Sequence, residues 1–183
     1  DPSTGAVLAL VSSPSFDPNT LASHDADTVS AAWDQYSADP GQPLVNRATG
    51  GDLYPPGSTF KILTTSAALR AGKVNTSTSL DAPDSITLPG TNHSLFNYRG
   101  ESCGNGTATL STAFAQSCNT PFAQLAMDVG DDALAKEAEA WGFGTKDDFS
   151  LPVTASTYPA NSSAAETAMA GIGQQSVRAT PLQ

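Results

Sequence analysis

Phe60, Leu63, Ala67 and Ala71 recur at i, i+3, i+7 and i+11, with Gly72 as a stop, directly after the turn Tyr54-Pro55-Pro56-Gly57. That spacing predicts one strong amphipathic helix with Ser58 in its first turn and Lys61 one turn along. Residues i and i+3 share a helix face, with Cβ atoms about 5–6 Å apart, so this hydroxyl and this amine can meet. A serine hydroxyl is a poor nucleophile until a base takes its proton, and an amine can serve only when neutral. The ordinary lysine pKa is about 10.4. The positive end of the helix dipole and the low charge density around the segment both push it down. The same dipole and the Ser58 N–H favour an oxyanion at that place. Ser-x-x-Lys alone is far more often a capping serine followed by a surface lysine, so its context decides.

Elsewhere the patterns are weaker. Gly5 to Val11 is short, apolar and β-leaning and reads as one buried strand entered from a hairpin turn. Thr20 to Gly51 is mostly irregular, with one short helix around Val29–Tyr36, and residues 75–108 read as loops with short strands such as Ser85–Leu88. Further helices are expected at Leu110–Gln116, from Pro121 to about Asp128 with Asn119 or Thr120 as cap, at Asp132–Trp141, and at Ala164–Ala170. Ser117-Cys118-Asn119, 59 residues after Ser58, falls at a break between two of these helices. There a second hydroxyl can relay a proton, and an amide can both hold the lysine and donate to a carbonyl.

Several function classes are disfavoured. The 183 residues suit one domain, and eight Lys plus Arg against eighteen Asp plus Glu give a net charge of -10 with no basic cluster for nucleic acid. The longest apolar run, Ala6 to Val11, is far shorter than the roughly 20 residues that span a bilayer. His24 and His93 are the only histidines, and Cys103 and Cys118 lack zinc-finger spacing, which leaves no supported metal site. The one Gly-x-Ser-x-Gly pentapeptide, Gly100-Glu101-Ser102-Cys103-Gly104, lies in the loop region and not between a strand and a helix, so it does not read as a nucleophile elbow. The Asp131-Asp132 pair fits helix capping, Asp147-Asp148 fits a solvated loop, and Trp33, Trp141, Phe143 and Tyr158 are expected in the core.

Together, Ser58-Thr59-Phe60-Lys61 and Ser117-Cys118-Asn119 resemble two of the three elements of the penicillin-binding protein transpeptidases, the serine acyl-enzyme family that includes β-lactamases. Residues 1–11, Pro14-Ser15-Phe16-Asp17-Pro18-Asn19, Asn46-Arg47-Ala48, Tyr54 to Lys61 and Thr180-Pro181-Leu182-Gln183 resemble the class B type, particularly actinobacterial cell-division members. The resemblance implies an α/β (α+β) penicillin-recognising serine transferase, or β-lactamase-like, fold: a helical subdomain with a partial antiparallel sheet. It implies Ser58 as acylated nucleophile, Lys61 as base, and Ser117 with Asn119 as the cleft's second wall. The third element, Lys-Thr-Gly, does not occur, and Gly144-Thr145-Lys146 is only its reverse. In the family that element follows the Thr-Pro-Leu-Gln stretch, so one sheet strand is expected before Asp1 and three after Gln183. The missing part would come from another chain or have been lost by cutting, and the chain alone is expected to be weakly reactive or inactive.

The implied activity is peptidoglycan D,D-transpeptidation without a cofactor, on a stem peptide, with β-lactam antibiotics as alternative acylating agents. The family setting is outside the cytoplasmic membrane, with an upstream anchor and non-catalytic module, and cell-division proteins are possible partners. A β-lactamase, a D,D-carboxypeptidase and a non-catalytic β-lactam-sensing or scaffolding module are the alternatives. In that oxidising setting a Cys103–Cys118 bridge is favoured, which would pin the loop bearing Ser117 and Asn119 and contribute about 3 kcal/mol for a loop of about 15 residues.

Overall fold

The computed structural model describes residues 1, 3–145 and 149–183, so Lys146 and the Asp147-Asp148 pair lie outside the described residues. The chain divides into two compact units, one of Asp1–Leu53, Asp148–Thr154 and Thr180–Leu182, the other of Tyr54–Asp147, Ala155–Ala179 and Gln183.

The first unit carries α1 (Pro18–Leu21) and α2 (Ala26–Ala38). Asp17 caps α1 by accepting from the Asn19 N–H, and Asp25 caps α2 by accepting from the Asp27 N–H. Phe16 and Tyr36 join the two helices with ring centroids 5.5 Å apart. The helix around Val29–Tyr36 is therefore longer than its sequence pattern suggested, because the cap lies upstream of the first apolar position. Gly5 to Val11 forms no strand: Val7, Leu8 and Val11 are 46%, 81% and 81% exposed. A strand needs a neighbour for its N–H and C=O groups, and among the described residues none pairs with this segment. Trp33, expected in the core, is 56% exposed on α2.

The second unit begins with a 3-10 turn, Gly57–Phe60, that runs into α3 (Lys61–Arg70). Residues 75–109, read as loops with short strands such as Ser85–Leu88, hold four short strands, one of them at that place. They are β1 (Ser79–Ala82), β2 (Ser85–Thr87), β3 (Ser94–Phe96) and β4 (Gly106–Thr109). β1 pairs antiparallel with β4, Ser79 opposite Thr109, and β2 with β3, Ser85 opposite Phe96. Then come α4 (Leu110–Ala115), α5 (Asn119–Val129), α6 (Asp131–Ala140) and α7 (Ala164–Ala170). α7 opens on a reciprocal capping box between Ser163 and Glu166.

α5 lies at the centre, packed on α3, α6 and α7, and small residues allow that approach. Ala123, Ala126, Ala168 and Ala170 are fully buried, and a Cβ on Gly171 would collide with the Ala126 methyl group. One core cluster joins Phe60, Leu63, Phe143 and Val177. The Phe60 ring meets Phe143 edge-on at 5.7 Å and stacks on Tyr158 at 5.8 Å. A second cluster joins Leu110, Phe122, Leu125 and Ile172 to Cys103 and Cys118.

Two expectations change here. Asp131 does not cap α6; its carboxylate accepts from the Tyr158 hydroxyl at 3.1 Å and the Ser162 N–H at 3.0 Å. Trp141 is 46% exposed, held by its indole N–H on buried Glu137 at 3.0 Å, whereas Phe143 is in the core as expected.

Candidate active site

Ser58 sits in the 3-10 turn and Lys61 is the first residue of α3, so the pair spans the junction. With three residues per turn, positions i and i+3 eclipse, which keeps both side chains on one face. Two glycines shape the entry: Gly57 (φ +58°) donates its N–H to the Gly173 oxygen at 2.9 Å, and Gly173 (φ +71°) rests on the Gly57 main chain. The segment Gly171 to Gln174 thus braces the turn that bears Ser58, and Thr64 holds it from α3 by donating to the Gly171 oxygen at 2.7 Å.

Lys61 is 1% exposed. Its Nζ donates to the Ser117 main-chain oxygen at 2.6 Å, the Asn119 Oδ1 at 2.8 Å and the Ser117 hydroxyl at 3.2 Å. It also lies 5.6 Å from the centre of the Phe122 ring. All of these partners are neutral. Among the described residues no carboxylate lies within ion-pair reach of Lys61. Burial without a counter-charge lowers its pKa to about 8. Among the described residues no hydrogen bond joins Lys61 to the Ser58 hydroxyl. The Nζ donors go to Ser117, in the loop between α4 and α5, and to Asn119, the first residue of α5.

That loop has an unusual backbone. α4 ends in a pair of bonds, Ser117 N–H to the Phe114 oxygen at 3.0 Å and Cys118 N–H to the Ala113 oxygen at 2.9 Å, which form a Schellman motif. The residue between them must be left-handed, and here it is Ser117, at φ +55°. α3 and α6 end in the same pair of bonds, with Gly72 and Gly142 in the left-handed place. Serine there carries a Cβ penalty of about 1–2 kcal/mol and in return points both its carbonyl and its hydroxyl at Lys61.

Pro121 is the third residue of α5, not the first, and neither Asn119 nor Thr120 is the cap. The cap comes from a distant residue. Asn97, 5% exposed, uses its Oδ1 to accept from the Asn119 N–H at 2.8 Å and the Thr120 N–H at 3.1 Å. That frees the Asn119 side chain, whose Nδ2 donates to the Phe96 oxygen at 3.0 Å while its Oδ1 receives Lys61. Cys118 bonds to Cys103 and ties the loop to the segment after Gly100.

Ser58, Ser117 and Asn119 line one cleft of about 540 Å³, with Tyr98, Glu101 and Gln174 also in its wall. The sequence spacing brought out the first three. Asn97, Glu101 and Gln174 carry no spacing that singles them out in the sequence.

The model of the penicillin-binding protein transpeptidase domain matches residues 1–183. The peptidoglycan D,D-transpeptidase PbpA of Mycobacterium tuberculosis is 47% identical over 184 residues, covering 100% of this chain and 37% of the relative. The chain therefore spans little more than a third of that relative's length. The crystal structure of PBPA from the same organism matches with a TM-score of 0.92 at 46% identity, over 99% of this chain and 42% of that one. A penicillin G acyl-enzyme complex of that protein matches with a TM-score of 0.91 at 48% identity, over 99% and 42%.

Proposed function

The chain belongs to the penicillin-binding protein transpeptidase family, and from that premise we propose that it carries the acylating half of a peptidoglycan D,D-transpeptidase site. In this reading Ser58 attacks the carbonyl between the two terminal D-alanines of a stem peptide, D-alanine leaves, and an amine of a neighbouring strand resolves the acyl-enzyme. The observation that carries it is the buried Lys61, held by Ser117 and Asn119 in the wall of the cleft that Ser58 lines.

With a pKa of about 8, roughly a tenth of Lys61 is neutral at pH 7. An ammonium uses three donors; an amine keeps two and gains a lone pair. The two shortest bonds, to the Ser117 oxygen and Asn119 Oδ1, keep the donors, and the lone pair is free to accept. It takes the Ser58 proton as that hydroxyl attacks. The Ser117 hydroxyl, 3.2 Å from Nζ, then carries the proton to the departing amine. The Ser58 N–H, in the first turn where no intrahelical acceptor exists, is one donor to the oxyanion.

Residues 1–183 contain no Lys-Thr-Gly. We place that wall in sequence outside them, a reading supported by the 37% share of the relative that they span. Gly5 to Val11, apolar and unpaired, is then a sheet strand awaiting neighbours from the same missing part. β-Lactams acylate Ser58 as a strained amide, and the site works outside the cytoplasmic membrane, where a Cys103–Cys118 bridge persists. Fluorescent penicillin should label the intact protein, and Ser58→Ala should abolish the label. Release of D-alanine from a D,D-peptide separates an enzyme from a sensor, and a label shed within seconds would mark a β-lactamase. Undiminished labelling of Ser58→Ala would overturn the assignment.

A further inference from the structure

α7 ends on two bonds, Gly173 N–H to the Ala170 oxygen at 2.8 Å and Gln174 N–H to the Met169 oxygen at 3.0 Å, with Gly173 in the left-handed place. Those bonds leave the Gly171 carbonyl, at the same helix end, in need of a donor. Thr64 supplies it: the residue is 0% exposed, and its hydroxyl donates to the Gly171 oxygen at 2.7 Å. Its neighbour Thr65 instead bonds back along its own helix, to the Lys61 oxygen four residues earlier at 2.7 Å. Of two adjacent threonines on α3, then, one serves the helix and the other reaches a different element. Gly171 itself is backed by α5, because an added Cβ would meet the Ala126 methyl group. Two residues on, the Gly173 oxygen accepts from the Gly57 N–H at 2.9 Å, and Gly57 precedes Ser58.

These contacts close a ring. It runs from Lys61 and Thr64 on α3, through Gly171 and Gly173, to Gly57 and Ser58 in the 3-10 turn, and back into α3. A 3-10 turn has poorer hydrogen-bond geometry than an α-helix, so its place depends on what braces it. Lys61 is held from another side, by Ser117 and Asn119. We infer that Thr64 is a positioning residue for acylation, whose hydroxyl sets where Ser58 stands relative to Lys61 through Gly171 and Gly173. It does not line the Ser58 cleft. The inference rests on the transpeptidase reading of Ser58 and Lys61 and extends it to a residue behind the cleft wall. Since Lys61 is held independently, loss of the Thr64 hydroxyl changes the rate of the step and leaves the protonation of the base alone.

The test uses the intact protein and penicillin G, with rates counted per titrated active site. Stopped-flow kinetics from pH 6 to 9 separate the limiting acylation rate from the binding that precedes it. Thr64→Val keeps nearly the same shape and deletes the hydroxyl. Misplacement of the reacting groups should lower its limiting rate about tenfold or more, with the binding constant and the pH midpoint unchanged. Thr64→Ser keeps the donor and should recover most of that loss. A merely structural role would lower Tm and the fraction of active sites but leave the limiting rate per site as it was. That result overturns the inference, and so does a Thr64→Ser protein as slow as Thr64→Val. A displaced pH midpoint puts the effect on Lys61 and overturns it too. Should Thr64→Val not fold, Thr64→Cys, whose S–H is a weak donor, takes its place with the same expected fall and the same overturning results. Each of these outcomes leaves the transpeptidase reading intact. Loss of Ser58-dependent acylation in the unaltered protein overturns both.

Discussion

The Lys61 nitrogen lies 2.6 Å from the main-chain oxygen of Ser117, a residue held left-handed at φ +55°. The contact ties the base proposed for the site to a strained backbone position. Gly72 closes α3 with the same hydrogen bonds and no such strain. The serine therefore carries a cost that a glycine would remove, and its hydroxyl is what a glycine could not supply to Lys61.

Ser117→Gly should accordingly stabilise the protein and impair it together. Relief of a left-handed Cβ is worth about 1 kcal/mol, or a rise in Tm of roughly 2–4 °C for a chain of this size. Loss of the hydroxyl should slow penicillin acylation by at least about tenfold. Ser117→Ala keeps the strain and lacks the hydroxyl, so it should match the loss in rate without the gain in Tm. A melting point for Ser117→Gly at or below that of Ser117→Ala would contradict the strain argument.

The pH dependence follows from Lys61. Acylation should rise about tenfold per unit below pH 8 and level off above it, since the neutral amine is the active form. Stability has the matching sign. Burial holds the folded pKa at about 8, below the unfolded value, so between about pH 8 and 10 the unfolded chain binds more protons and stability rises with pH. Above about pH 10 the slope reverses. Burial and the Asp131 carboxylate raise the Tyr158 pKa, so the phenol stays protonated when folded and ionises when unfolded. Acylation rates and urea midpoints from pH 6 to 11 check both limbs; a flat acylation profile from pH 6 to 9 contradicts Lys61 as base.

What was legible in the sequence was local. Ser58 and Lys61 are three residues apart, so their shared face needs only one turn, and the helix at Leu63 to Ala71 declares itself by period. The errors lie where a distant partner decides. Gly5 to Val11 has strand chemistry but no neighbour to pair with. The start of α5 is set by Asn97, 22 residues before Asn119, so the capping rules pointed to the wrong residues. Of the four short strands of residues 79–109 only the one at Ser85–Thr87 was legible; the others, three or four residues long, are too short for a period-2 signal.

Asn97 therefore holds the start of α5, and with it Asn119, from outside the Ser58 cleft. Asn97→Ala leaves the first N–H groups of α5 without their acceptor in a buried setting, at a cost of about 2 kcal/mol. It should also loosen Asn119 and slow acylation. Asn97→Asp keeps an acceptor at a helix N-terminus, where negative charge is favoured, and should recover most of both losses. Thermal melts and penicillin acylation of the two variants decide the matter, and equal damage from both would dismiss the remote cap.

Gly173 and Gly72 separate backbone strain from collision. Both are left-handed, at φ +71° and +65°, so an alanine at either pays a conformational penalty of about 1 kcal/mol. Around Gly72 nothing lies within 4 Å of an added Cβ, whereas at Gly173 that atom would run into the main chain of Gly57. Gly57 immediately precedes Ser58, so whatever yields to the new methyl group moves the turn that bears Ser58. Gly72→Ala should lower Tm by roughly 2–4 °C and leave penicillin acylation as it was. Gly173→Ala should cost on the order of 2–4 kcal/mol and slow acylation at least about tenfold in protein that remains folded by circular dichroism. If the two alanines prove alike in both measurements, the close packing of Gly173 on Gly57 does not hold Ser58 in place.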